Sequence, residues 1–170
     1  MKISFSRSSI LTWVVVAVLL AALPFAVWEF MKTGEFYLFS PRFLRHMVAR
    51  LTGPGRLRFI FQPVAATLLG CRDGVKDARS GKRPFLSALL FFRTGQGELL
   101  RSALASVRNL VAIAILLDVL TQILMFRMVH PGAALILGPV LIATPYALAR
   151  ALANRIARWT GLRAPMAQSG

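Results

Sequence analysis

Charge-free apolar stretches alternate along this chain with short basic segments. Residues 8 to 28 carry no charged side chain, and two further apolar runs lie back to back, NLVAIAILLDVLTQILMF and VHPGAALILGPVLIATPYALA, joined at His130-Pro131-Gly132. Each is about as long as the roughly 20 residues a helix needs to cross hydrocarbon. The pattern therefore predicts three transmembrane helices, at about 9–29, 109–128 and 133–152, the last two forming a hairpin. Trp13 and Trp28 lie fifteen residues apart, roughly 22 Å along a helix, a spacing that suits aromatic anchors near opposite interfaces. The run is longer than a secretory apolar region and no cleavage-site pattern follows it, so it is expected to be a retained span.

The shorter runs read differently. In PRFLRHMVARL, Ser40 is the expected N-cap, Pro41 fits the first helical position and Gly53-Pro54-Gly55 stops the helix. Phe43, Leu44, Met47, Val48 and Leu51 make one face, with Arg42, Arg45, His46 and Arg50 mostly on the other. The segment 41–51 is thus expected to lie in the interface, its arginines among phosphate head groups and His46 solvated. Residues 59–71 form a thirteen-residue run, about 20 Å as a helix and short of a hydrocarbon core of roughly 30 Å. A re-entrant or interfacial helix over 63–80 is expected, with Gly81 as its C-cap residue, and another over 85–93. From Glu98 one long helix should run to about Met128. The tail 161–170 is small and polar. The fold class is all-α: a polytopic helical membrane protein with one membrane domain, residues 1–160.

Composition agrees: 56% hydrophobic residues, 16% charged residues and a mean hydropathy of +0.64 are values of a membrane protein. The net charge of +15 would ordinarily raise nucleic acid as a partner. Here the basic residues crowd the flanks of apolar runs, which points to anionic phospholipid instead. The expected head-group contacts are Arg42, Arg45, Arg50, Arg150, Arg155 and Arg158. Cys71 is the single cysteine, so no intrachain disulfide is available. The excess of Lys and Arg beyond the first and third spans predicts an external N-terminus and a cytoplasmic C-terminus. A crossing by residues 59–92 would instead give four spans and a cytoplasmic N-terminus. Compactness and the preference for Arg over Lys suggest a bacterial inner membrane.

One residue interrupts this pattern. Asp118 is the only ionisable group deep in an apolar run, at an insertion cost of about 2.5–3.5 kcal/mol. Thr121 and Gln122 follow at helical spacing, so the three make one polar stripe that should face protein. Counting along an antiparallel hairpin folded about Pro131 sets Asp118 level with Thr144, next to Pro145, which leaves the carbonyl of Leu141 unbonded. The expected intramembrane polar cluster is Asp118, Thr121, Gln122, Thr144 and Pro145. With no cation at that depth in the hairpin, Asp118 is expected to be largely neutral.

The segment Arg72-Asp73-Gly74-Val75-Lys76-Asp77-Ala78-Arg79 resembles the Asp-Gly-x-x-Ala-Arg core of the CDP-alcohol phosphotransferases, membrane enzymes that transfer lipid head groups with paired metal-binding aspartates. Three residues rather than two separate Gly74 from Ala78, Gly70 stands where the earlier aspartate would fall, and Gly-x-x-x-Asp-x-x-x-Asp does not follow. The resemblance covers eight residues and implies a lipid-modifying role for Asp73. No zinc-type Cys/His spacing, phosphate-binding glycine loop or nucleophile elbow occurs, so no catalytic residue, metal or cofactor is expected. The leading expectation is a noncatalytic accessory, assembly or stabilising subunit, joined to another membrane protein or to itself by hydrogen bonds from the polar stripe. The rival is an oligomeric small transporter or proton-linked channel centred on Asp118.

Overall fold

The computed structural model describes residues 7–35, 37–82, 85–87 and 96–161. Among them the chain is helical with no strand: α1 Arg7–Thr33, α2 Pro41–Thr52, α3 Arg58–Arg79, α4 Gln96–Phe126 and α5 Pro131–Trp159, with single 3₁₀ turns at Tyr37–Phe39 and Pro54–Leu57. Three of these, α1, α4 and α5, are long and apolar enough to cross a membrane. Most of the expected segment 85–93 lies outside the described residues, as does the tail beyond 161.

Local signals account for the boundaries. Pro41 and Pro131 each open a helix at a position whose N–H would be unbonded anyway. Ser40 occupies the N-cap of α2, but its hydroxyl donates backward to the carbonyl of Tyr37 at 2.8 Å instead of capping the helix. Helix α3 begins five residues before Pro63, the expected start, and carries that proline inside it. It ends as expected at Gly81, which adopts φ 69° while Lys82 N donates to the carbonyl of Asp77 at 2.9 Å. Only a residue without a Cβ takes that conformation at no cost.

The chain packs as two compact units, Met1–Gln62 with Arg108–Leu141 and Pro63–Val107 with Ile142–Gly170. In the first, Val15 of α1 is buried with Ala112, Ile115 and Val119 of α4 and Ala134 of α5. At one end of this unit Glu29, near the close of α1, meets His130 in the turn between α4 and α5. Within this unit, helices α1 and α4 therefore run in the same direction. The sequence expectation had α1 ending on the side opposite that turn. It named Arg50 as a head-group contact and counted both Arg50 and Arg58 in the charge following the first span, whereas both are buried.

The hairpin register also differs from simple counting. A side chain at Gly138 would meet Ile115 Cγ1 at 2.9 Å, so residue 138 lies beside residues 114 and 115. That sets Leu135, not Thr144, near the level of Asp118. The reversal falls at residues 127–130, ahead of Pro131, because the proline starts the next helix rather than sitting at the apex.

In the second unit α3 and α5 also run in the same direction. Gly70 lies against the carbonyl of Tyr146 and Gly74 against that of Arg150, so closely that any Cβ would clash with backbone. The buried face of α3 repeats every four residues through Arg58, Gln62, Ala66, Gly70, Gly74 and Ala78, while Ile60, Phe61, Val64 and Leu68 are exposed. Small residues at that spacing let two helix backbones approach, which is how helices associate where lipid removes the hydrophobic drive.

Candidate functional site

The polar stripe of α4 lies at the centre of a buried ionic cluster in the first unit. Asp118 is 0% exposed. Its Oδ2 accepts from Gln122 Nε2 at 2.7 Å, one helical turn on. Its Oδ1 pairs directly with Arg58 and lies 3.8 Å from Arg50 Nη1. Two guanidiniums thus meet one carboxylate, and the cations come from α2 and α3, outside the hairpin to which the sequence argument looked for partners. The expectation that no cation lies at the depth of Asp118 held for the hairpin alone: Arg58 and Arg50 reach it from outside the hairpin.

Gln122 extends the cluster to the turn. Its Oε1 accepts from His130 N at 2.7 Å, and its Nε2 lies 3.4 Å from the His130 carbonyl. Thr121 donates to the carbonyl of Leu117 at 2.7 Å, while its methyl fills the space beside Gly55. Arg50 is fully buried with its guanidinium 5.7 Å from the Phe126 ring, and among the described residues none of its three nitrogens has a hydrogen-bond partner. Gln62, one turn after Arg58, is likewise buried without hydrogen bonds.

A second set of groups closes the end of the unit. His130 Nε2 lies 2.7 Å from Glu29 Oε2, and Glu29 Oε1 lies 3.5 Å from Arg42 Nη1. The Tyr37 ring stacks on His130 with centroids 3.5 Å apart, and its hydroxyl lies 2.8 Å from His46 Nδ1. His46 in turn stacks on Phe126 at 3.9 Å. Burial pushes both His46 and His130 below the ordinary 6.5, with Arg50 adding to the effect on each. Burial raises the Tyr37 hydroxyl. A groove of about 330 Å³ opens beside these residues, with Glu29, Tyr37, Ser40, Arg42 and His130 along its polar side and Leu23, Ala26 and Phe30 along its apolar side.

The second unit has its own buried pair. Arg150 Nε donates to Asp77 Oδ2 at 2.7 Å and Nη1 donates to the Tyr146 hydroxyl at 2.9 Å. That hydroxyl donates to Asp73 Oδ2 at 2.7 Å. Arg158 donates to the carbonyls of Gly81 and Lys82.

Asp118, Thr121 and Gln122 thus come together as one buried stripe. Thr144 is exposed and Pro145 half-buried, and both belong to the second unit. Arg42, Arg45 and Arg155 are exposed and Arg158 half-buried, whereas Arg50 and Arg150, both expected at head groups, are buried and each faces a carboxylate. Sequence reasoning missed Arg58, Glu29, Tyr37, Gln62 and the inward roles of His46 and His130. A signal existed for Arg50: it lies seven residues after Phe43 and three after Met47, hence on the same face as both.

Comparison with known protein families, with curated proteins and with solved structures finds no match to this chain.

Proposed function

We propose that this chain is a noncatalytic integral membrane protein, an accessory or stabilising subunit of a membrane complex, with a basic cytoplasmic face that holds anionic lipid. One observation carries the reading: four of the five acids set into the described helices, all but the exposed Glu98 in the first turn of α4, are engaged inside the chain. Asp118 holds Arg58, Arg50 and Gln122, Glu29 holds His130, Asp73 accepts from Tyr146 and Asp77 from Arg150. A proton carrier or a metal-dependent transferase needs a carboxylate free to change partner. These four act instead as counterions and hydrogen-bond acceptors that fasten helix to helix.

The membrane arrangement we infer has four crossings with both termini in the cytoplasm of a bacterium. Its support is the common direction of α1 and α4, which obliges the chain between them to cross back. Helix α3, with 22 residues and so about 33 Å long, is the element with that reach. Its polar groups Arg58 and Gln62 face protein, and its last two turns are charged. On this arrangement the cytoplasmic side gathers Lys2, Arg7, Arg72, Lys76, Arg79, Lys82, Arg83, Arg93, Arg101, Arg108, Arg155, Arg158 and Arg163. The other side has Lys32, Arg42, Arg45, Arg56 and Arg127 besides the buried pair. That asymmetry satisfies the positive-inside rule.

The test is recovery of the chain from native membranes in mild detergent through an epitope on the C-terminal tail. The proposal expects a larger assembly with a partner at fixed ratio. Proton or ion flux through the purified protein alone in liposomes, abolished by Asp118→Asn at unchanged folding, would overturn it in favour of a channel.

A further inference from the structure

We propose that Glu29, Tyr37, His46 and His130 form an acid-released latch that fastens α2 and the end of α1 to the α4–α5 turn at neutral pH and lets α2 go as the surroundings acidify. The four residues come from α1, the 3₁₀ turn, α2 and the interhelical turn, and each touches the next: Glu29 to His130 at 2.7 Å, His130 stacked on Tyr37, and the Tyr37 hydroxyl on His46 Nδ1 at 2.8 Å. His46 then closes onto Phe126 of α4. Besides His46, α2 turns Phe43, Met47 and the buried Arg50 inward, while Leu44, Val48 and Leu51 are exposed.

The chemistry works at neutral imidazole. Neutral His46 offers Nδ1 as the acceptor that the Tyr37 hydroxyl needs, and neutral His130 donates Nε2–H to Glu29. The charged groups facing this latch are Glu29 of α1, Arg42, Arg45 and Arg50 of α2, Arg58 of α3 and Asp118 of α4. The guanidiniums outnumber the carboxylates. Arg50 already lies buried with only a distant share in Asp118. Protonation would place one or two further positive charges within this group, with the imidazole centroids 6.4 Å apart. It would also turn His46 Nδ1 from acceptor to donor, so that the Tyr37 hydroxyl can no longer donate to it and must turn to accept.

The sign follows from the same geometry. Both histidines sit below their ordinary value of 6.5, chiefly through burial, so the open state binds more protons. The closed state keeps its full advantage above 6.5 and loses it as pH falls through the window beneath. Glu29 opposes this at His130 by favouring the imidazolium. His46, which feels Arg50, Arg45 and His130, is therefore the stronger trigger. The groove beside Glu29 and His130 gives protons a route in.

Thiol labelling tests the latch directly in the full chain, in a Cys71→Ser background reconstituted in lipid nanodiscs. Met47→Cys reports the half-buried face of α2, and Val48→Cys, on its exposed face, corrects for the pH dependence of the reagent. The ratio of Met47 to Val48 labelling should rise at least several-fold between pH 7.5 and 5.5, with a midpoint below 6.5. His46→Gln should flatten that rise while His130→Gln reduces it. A ratio that does not change with pH would overturn the latch, as would a rise that persists when both histidines are replaced.

Discussion

At the residue scale the account turns on Asp118, Arg58 and Arg50. Removing one member of a buried ion pair leaves the other uncompensated, at a typical cost of about 3–5 kcal/mol. Asp118→Asn should therefore destabilise the protein strongly, although the amide still has Gln122 as a neighbour. Replacing the excess cation as well, in Asp118→Asn/Arg58→Met, should recover part of that loss. Thermal unfolding in detergent of the two variants and the parent checks both statements. A destabilisation by the single change that the second does not relieve would show that the carboxylate serves something other than these guanidiniums. Much of this site was legible in advance: the expense of an acid at Asp118 marked it, and helical spacing joined it to Thr121 and Gln122. Its partners were not, because Arg50 and Arg58 lie sixty or more positions away in sequence. Spacing within one helix says nothing about which distant helix packs against it.

At the element scale α3 shows how the length of a helix hides from hydropathy. Its apolar run stops at Arg72, so length counted in apolar residues falls short, yet the helix continues to Arg79. What marks its inward face is the four-residue repeat of Arg58, Gln62, Ala66, Gly70, Gly74 and Ala78, polar and small residues buried against protein. Two consequences separate packing from propensity. Gly74→Val would drive a side chain into the Arg150 carbonyl and should cost about 1–3 kcal/mol, as overpacking commonly does. Gly97→Ala, in the first turn of α4 with open space around it, should be neutral or stabilise by up to about 1 kcal/mol. Chemical unfolding of the purified protein would compare them. Equal effects would mean that α3 and α5 do not rely on that close approach. Helix α2 carries a related lesson. Its apolar and basic residues do not divide into two faces: Phe43, Met47 and Arg50 turn toward protein, Leu44, Val48 and Leu51 stay exposed, and Arg42 and Arg45 point outward. Two-colour amphipathicity could find the helix but not the inward arginine.

For the whole molecule, the three long apolar helices and the all-helical class followed from run length alone, since hydrocarbon thickness sets a minimum that few other segments reach. Direction did not follow. Charge counting assigns sides only after buried basic residues are set apart from exposed ones, and two of those counted after α1 are buried beside Asp118. The account makes α1 and α4 parallel, has α3 return the chain between them, and uses its acids to fasten these helices together. Sidedness of the termini tests this most directly. Paired reporters, one active only in the cytoplasm and one only outside it, would be fused in turn to the N-terminus, to the C-terminus and within the α4–α5 turn. The account predicts both termini in the cytoplasm and the turn outside. Termini on opposite sides of the membrane would contradict it.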